Sequence, residues 1–287
     1  MTIQQLLNKS YEELKKAEIE SYIIDCQLLL GKVLNLDRLA ILTNKEMKLS
    51  ESNILEYMKL IELRKRKMPV KYLLGICEFM GMEFIIREGV LIPRPDTEVL
   101  VEEVIKVIQE RDYKEVCDVC CGSGIIGISI ANYTKLTNIN SYDISPVACE
   151  VTKENITNFN LSSRISVESS DLLCNAIESG KTFDVIVSNP PYIKELEIGT
   201  LMEDVKKYEP YIALNGGDDG LDFYRKITVQ SYKVLRAGGM LAFEIGFDQK
   251  QEVMDILLEG GYENHYGIKD LSGKDRVLIA FKSKNNL

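Results

Sequence analysis

From Pro95 to the C-terminus, short apolar runs alternate with amphipathic stretches, and few folds accommodate that alternation. It predicts helices near 97–110, 125–132, 146–158, 221–236 and 248–259, with strands at 115–119, 138–144, 183–188, 239–245 and 275–282. A further strand is expected just before "SSDLL". Strands separated by amphipathic helices imply βαβ units, hence an α/β fold with a mostly parallel sheet covered on both faces. In such sheets ligands sit beyond the carboxyl ends of the strands. Residues 1 to about 75 instead read as helical. In "SESNILEYMKLIELRKRK", Ile54, Met58 and Ile61 fall on one face, with Ser50 or Ser52 as N-cap. The closing basic run is expected to be a solvated face that complements the helix macrodipole. Between the two regions, "CEFMGMEFIIREGVLIPRP" has short aromatic and β-branched runs around Gly81 and Gly89, the pattern of a hairpin. The expected organisation is a helical segment at 1–75, a hairpin connector at 76–94 and an α/β domain at 95–287.

A net charge of −9 argues against broad adhesion to nucleic acid, whose affinity comes largely from Lys and Arg neutralising phosphates. No stable nucleic-acid binding is expected. Seven cysteines, an odd number without framework spacing, suit a reducing cytoplasm better than a disulfide scaffold. The N-terminus lacks a signal-peptide pattern and no uncharged stretch is long enough for a membrane span, so a cytoplasmic location is expected. Cys117, Cys120 and Cys121 have C-x-x-C spacing, but Cys117 falls inside a predicted strand and no second pair follows, so no metal site is expected. The lone His265 is expected to be structural.

"VCDVCCGSGIIGISIA" places a strand, a tight turn with Gly122 and Gly124, and a helix in succession. Glycines let a ligand approach the backbone, and a helix N-terminus offers unpaired N–H groups, although the same glycines could serve only the turn. The next strand ends in Asp143, where a carboxylate commonly accepts both hydroxyls of a ribose. Asp171 could accept from an adenine amino group or cap a helix or turn. Together these suggest an adenosine-bearing cofactor. Gly122, Gly124 and Gly127 have the G-x-G-x-x-G spacing that nicotinamide-binding dehydrogenases also show, so the loop alone is a weak signal.

"VIVSNPPYI" is a strand that ends at two prolines, which stiffen the backbone where a ladder must stop. Asn189, through its side-chain oxygen, and Pro190, through its carbonyl, can each accept one N–H of a planar NH2 group. That leaves the nitrogen lone pair free to attack and stabilises positive charge as it forms. Pro190 and Pro191 direct the carbonyl, and Tyr192 offers a flat face.

"DVCCGSG" resembles the D-x-G-x-G-x-G loop of class I S-adenosylmethionine-dependent methyltransferases, with Cys120 in the first glycine's place. "NPPY" resembles the signature of methyltransferases acting on a nitrogen conjugated to a π system, both adenine-N6 DNA and glutamine-N5 protein enzymes. "PVKYLLGICEFMGMEFIIREGVLIPRPDTEVLVE", "LNGGDDGLDFYRKI", "GGMLAFEIG" and "KDLSGKDRVLIA" resemble the HemK/PrmC family, over about residues 69–282. The resemblance implies a Rossmann-like, seven-stranded methyltransferase fold with an N-terminal helical substrate-docking bundle. It implies methyl transfer from S-adenosylmethionine, leaving S-adenosylhomocysteine, to the glutamine N5 of the GGQ motif of class I peptide chain release factors. By the same resemblance, Asn189, Pro190, Pro191 and Tyr192 hold the substrate glutamine. Cys120, Cys121, Gly122, Ser123, Gly124, Asp143, Asp171, Leu172 and Asn189 bind the cofactor, and Arg94, Asp96 and Thr97 close over it, Asp96 or Thr97 alternatively capping a helix. Alternative readings are an adenine-N6 DNA methyltransferase, which predicts a target-recognition domain and a basic face, neither evident, glutamine methylation of a ribosomal protein, or a silent scaffold of the same fold.

Overall fold

The computed structural model describes residues 1–284 of the chain. Two units divide it, Met1–Cys77 with Met202–Tyr208, and Glu78–Leu201 with the chain from Glu209 onward.

In the first unit, α1 (Ile3–Lys16), α2 (Tyr22–Leu34), α3 (Arg38–Thr43), α4 (Glu51–Lys65) and α5 (Val70–Leu74) surround one core. Thr2 and Gln5 open α1 with a capping box, each side chain accepting from the other's backbone N–H at 3.3 and 3.0 Å. Leu6, Leu14, Leu29, Ile41 and Ile61 are fully buried, each contributing roughly 1.5–3 kcal/mol through apolar burial. Ser50 caps α4, accepting from Asn53 N at 3.2 Å. The buried stripe of α4 is Tyr57, Ile61 and Arg64, rotated from the expected Ile54, Met58 and Ile61, whose first two members are only partly buried. Arg64 thus departs from the expected solvated basic face: it lies three residues beyond Ile61, on the same helix face. Its Nε meets Asp25 of α2 at 2.7 Å, both side chains being buried, and Nη1 donates to Met68 O at 3.1 Å. A helix later in the chain, α11 (Glu203–Tyr208), also belongs to this unit, with Tyr208 Oη donating to Arg66 O at 2.7 Å.

Removing one member of a buried ion pair strands the other charge, which typically costs about 3–5 kcal/mol. Arg64→Ala is therefore expected to lower the unfolding free energy by about that much, read by urea denaturation followed by circular dichroism. A loss below about 1 kcal/mol would mean that Asp25 finds water.

The second unit contains a hairpin, β1 (Ile76–Phe79) and β2 (Met82–Ile85), whose first two residues fall before the division between units. There follow α6 (Thr97–Arg111), β3 (Glu115–Val119), α7 (Ile125–Tyr133), β4 (Asn138–Asp143), α8 (Pro146–Asn158), β5 (Ile165–Ser169), α9 (Cys174–Glu178), β6 (Phe183–Ser188) and α10 (Glu195–Ile198). After α11 come α12 (Tyr211–Leu214), α13 (Asp222–Val234), β7 (Leu235–Glu244), α14 (Lys250–Glu259), β8 (Tyr262–Lys269) and β9 (Asp275–Lys282). The seven-stranded sheet has the order β5-β4-β3-β6-β7-β9-β8, parallel except where β9 pairs with β7 and β8. Apolar clusters cover both faces, one holding Leu100, Val104 and Ile128, the other Tyr224, Ile227 and Leu257. Strand β8 lacks a counterpart in the sequence reading. It is the outer strand, "YENHYGIK", largely exposed, so it has no apolar alternation to detect. His265 lies on this edge.

The order of strands along the sheet reverses about β3: β4 and β5 lie to one side, β6 and β7 to the other. Val119 pairs in register with both Tyr142 and Ser188, so β3, β4 and β6 end level. Cys120, Asp143 and Asn189 are thereby the next residues out of three neighbouring strands, at the switch point where doubly wound sheets bind ligands. Among the described residues no helix is long and apolar enough to cross a membrane.

Candidate active site

The turn after β3 is built from left-handed backbone. Cys120, Gly122 and Gly124 have φ of 61°, 58° and 79°. Such angles cost a side chain roughly 1–2 kcal/mol, which is why the related loop carries glycine where this chain has Cys120. At Gly124 a Cβ would stand 2.8 Å from Thr152 Cγ2, so α8 packs directly on the turn. At Gly127 it would stand 3.0 Å from Asp118 Oδ2, which accepts the Gly127 N–H at 2.9 Å. Burial pushes the Asp118 carboxyl up to about 7. Gly122 differs: nothing lies within 4 Å of where its Cβ would be, and it lines a cavity of about 200 Å³.

Cys120, Asp143, Asp171, Leu172, Asn189 and Pro191 line that same cavity. Asp143 is held by two backbone donors, Gly122 N to Oδ2 and Ser145 N to Oδ1, each at 2.9 Å. Burial raises its pKa above the ordinary carboxyl value against the pull of those N–H groups. A carboxylate has about four acceptor positions, so acceptor capacity remains for a ligand. Asp171 does not cap α9, whose N-cap is Leu173 without a side-chain bond. The expected Cys121, Ser123 and Gly124 do not line the cavity. They hold the turn from behind, Cys121 N donating to Tyr142 O at 3.1 Å and Ser123 O accepting from Asn155 Nδ2 at 2.9 Å.

A second, smaller cavity of about 50 Å³ is lined by Asn189, Pro190, Tyr192, Arg94 and Glu244. Asn189 borders both spaces. The Tyr192 backbone is clamped: a Cβ on Gly216 would lie 2.7 Å from Tyr192 Cα, and one on Gly220 would lie 2.5 Å from Tyr192 O. Gln249 Nε2 donates to that oxygen at 3.0 Å. The segment "LNGGDDG" therefore backs the NPPY turn, and only glycine fits at Gly216 and Gly220.

The strap before α6 differs from expectation. Gly89, Val90 and Leu91 line the larger cavity, whereas Arg94 faces the smaller one and pairs with buried Glu209 at 2.6 Å. Asp96 meets Arg276 at 3.3 Å and makes no capping bond, and Thr97 is buried behind Asn189, not capping α6. Sequence reasoning missed Glu244, and also Glu209 and Gln249, whose burial no local pattern announces. A carboxylate closing an otherwise apolar strand, as in "MLAFE", was the available signal for Glu244.

The sequence matches two family models, the PrmC N-terminal domain over residues 5–75 and the methyltransferase small domain over residues 95–206. The release factor glutamine methyltransferase of Clostridium botulinum is 56% identical over 282 residues, covering 98% of this chain and 100% of that protein. The chain belongs to the release factor glutamine methyltransferase family. The member from Clostridium acetobutylicum is 50% identical, covering 98% of this chain and 99% of its own. The fold is also that of the N-terminal domain of human METTL16, solved in complex with SAH, with a TM-score of 0.52 at 18% identity, over 84% of this chain and 86% of that one.

Within this methyltransferase, Cys120→Gly is expected to change stability by no more than about 1 kcal/mol, relief of the left-handed strain offsetting the lost thiol packing. Gly124→Ala, strained and crowded at once, should cost more than about 2 kcal/mol. Parallel denaturation curves decide it, and equal losses in the two variants would count against the strain argument.

Proposed function

We propose that this chain transfers a methyl group to the glutamine side-chain nitrogen of the GGQ motif of class I release factors, using the crevice at the ends of β3, β4 and β6. The observation that carries this reading is Asn189 bordering both cavities, one fit for a cofactor and the other for a small planar amide.

The residues of the larger cavity suit S-adenosylmethionine. Gly122 leaves open space where a side chain would stand, Asp143 keeps acceptor capacity for ribose hydroxyls, and Asp171 is available to an amino group. Cys120 and Leu172 supply apolar walls. When bound, the cofactor supplies an electrophilic methyl group on a sulfonium.

The chain's own task is to make an amide nitrogen nucleophilic. Its lone pair is delocalised into the carbonyl, so orientation and charge stabilisation must carry the rate. Asn189 Oδ1 and the Pro190 carbonyl each accept one amide N–H, which holds the NH2 group in one plane and leaves its lone pair normal to that plane. As the nitrogen becomes positive, both acceptors strengthen their hold. Tyr192 supplies a flat wall, and its phenol, with a pKa raised by burial and by Glu244, stays protonated. The methylated nitrogen is acidic enough to release its proton to water, so no dedicated base is needed.

Mass spectrometry of a release factor incubated with the protein and labelled cofactor should find one methyl on the GGQ glutamine. Asn189→Ala should lower single-turnover transfer about a hundredfold or more with cofactor affinity kept. Asp143→Ala should weaken cofactor affinity about tenfold or more. Methylation of adenine in DNA and not of the release factor would replace the reading.

We also propose that the N-terminal unit docks the folded substrate, since one glutamine supplies far less contact than a specific interface needs. The outer side of α4 offers Leu55, Met58 and Leu63 beside Lys59 and Arg66. Leu55→Glu should raise KM for intact release factor about fivefold or more and leave a short GGQ peptide unaffected. An unchanged KM for the intact factor excludes this face.

A further inference from the structure

Asn189 can serve as an acceptor only if its amide is turned the right way, and a rotation of half a turn about its last side-chain bond would exchange oxygen for NH2. The residues behind it determine which end faces outward. Asn189 Nδ2 lies 3.3 Å from Thr97 Oγ1, and Thr97 Oγ1 lies 2.6 Å from Glu244 Oε2. Thr97 and Glu244 are each 1% exposed, so water does not compete for the bond between them.

We propose that Thr97 and Glu244 are positioning residues that hold the Asn189 amide with its oxygen toward the substrate. The inference rests on the methyl-transfer reading above. A hydroxyl has one hydrogen. An ionised Glu244 can only accept, so the Thr97 hydrogen points to it, and Thr97 offers Asn189 a lone pair. Asn189 must then turn its NH2 inward and its oxygen outward. A proton on Glu244 allows the opposite chain: Glu244 donates to Thr97, Thr97 donates to the Asn189 oxygen, and NH2 faces the substrate NH2. Two donors would then confront each other, and transfer would fail for want of an acceptor.

The surroundings of Glu244 place this switch near neutrality. Tyr192 Oη stands 3.5 Å from Oε1, and Tyr224 Oη donates to the Glu244 main-chain oxygen at 3.0 Å. Arg276 of β9 favours the ionised form, Asp96 at the start of α6 opposes it, and Arg94 lines the same small cavity. Burial is the largest influence and pushes the Glu244 carboxyl up to about 7. The sign follows: transfer is fully supported above that value and is lost as pH falls through it. The three members of this chain come from α6, from the end of β7 and from the loop after β6, far apart in sequence.

The experiment is single-turnover methyl transfer to a release factor by the full-length protein, with cofactor saturating, from pH 6 to 8.5. The wild type should lose rate by up to about tenfold per pH unit below about 7 and level off above it. Glu244→Gln cannot titrate and should show no such limb. Thr97→Ser keeps the hydroxyl and should preserve both plateau and limb. Thr97→Val, of similar shape without the hydroxyl, should lower the plateau about tenfold or more while cofactor affinity stays within about twofold. A limb that persists in Glu244→Gln assigns the titration to another group, such as Asp118, and overturns the inference. So does a plateau in Thr97→Val equal to that of the wild type, a comparison that stands even where Glu244→Gln fails to fold. A wild type that transfers no methyl to the release factor overturns the methyl-transfer reading and this inference with it, whereas an active wild type with an unaffected Thr97→Val overturns this inference alone.

Discussion

The level ending of β3, β4 and β6 is the constraint on which the rest of the structure depends. Val119 is in register with Tyr142 on one side and Ser188 on the other, so Cys120, Asp143 and Asn189 emerge together. Because side chains alternate along a strand, a slip of one residue would exchange the inward and outward faces of a whole strand. The two faces pack against different helices and side chains, so a slipped strand would set the wrong residues into both clusters.

On that platform the chain separates two tasks. The turn after β3 is shaped by backbone: left-handed angles, close packing against Thr152 and the Asp143 carboxylate gathered in by two N–H groups. The NPPY turn is shaped by what stands behind it, the Gly216 and Gly220 contacts and Gln249 on the Tyr192 carbonyl. One element can be read as a cradle for a ribose and the other as a holder for an amide, and Asn189 belongs to the walls of both cavities.

Buried polar groups recur wherever the chain needs a fixed geometry. Asp25 with Arg64, Glu209 with Arg94, and Glu244 with Thr97 each place a carboxylate out of water against a specific donor. Such pairs add little net stability compared with apolar packing, but a misplaced partner is costly, so they favour one arrangement over near neighbours.

The sequence by itself determined the α/β order, the seven-stranded methyltransferase class through its motifs, and the residues Cys120, Gly122, Asp143, Asp171, Leu172 and Asn189 that meet at one cavity. The α/β order and Gly122, Asp143, Asp171 and Asn189 were legible because apolar periodicity, glycine turns and proline-terminated strands are local properties written in adjacent residues, whereas the seven-stranded class and the places of Cys120 and Leu172 were implied by the family resemblance. Strand β8 was not, since an exposed edge needs no apolar alternation. Neither was the buried face of α4, where Arg64 takes a place in the core stripe that only the position of Asp25 on α2 makes tolerable. The tertiary structure alone decided that Thr97 lies behind Asn189 and not over the cofactor, and that Glu244 stands behind Thr97. The reason is physical: a hydrogen bond between groups 92 or 147 residues apart depends on how helices pack across a sheet, and no short window of sequence records that.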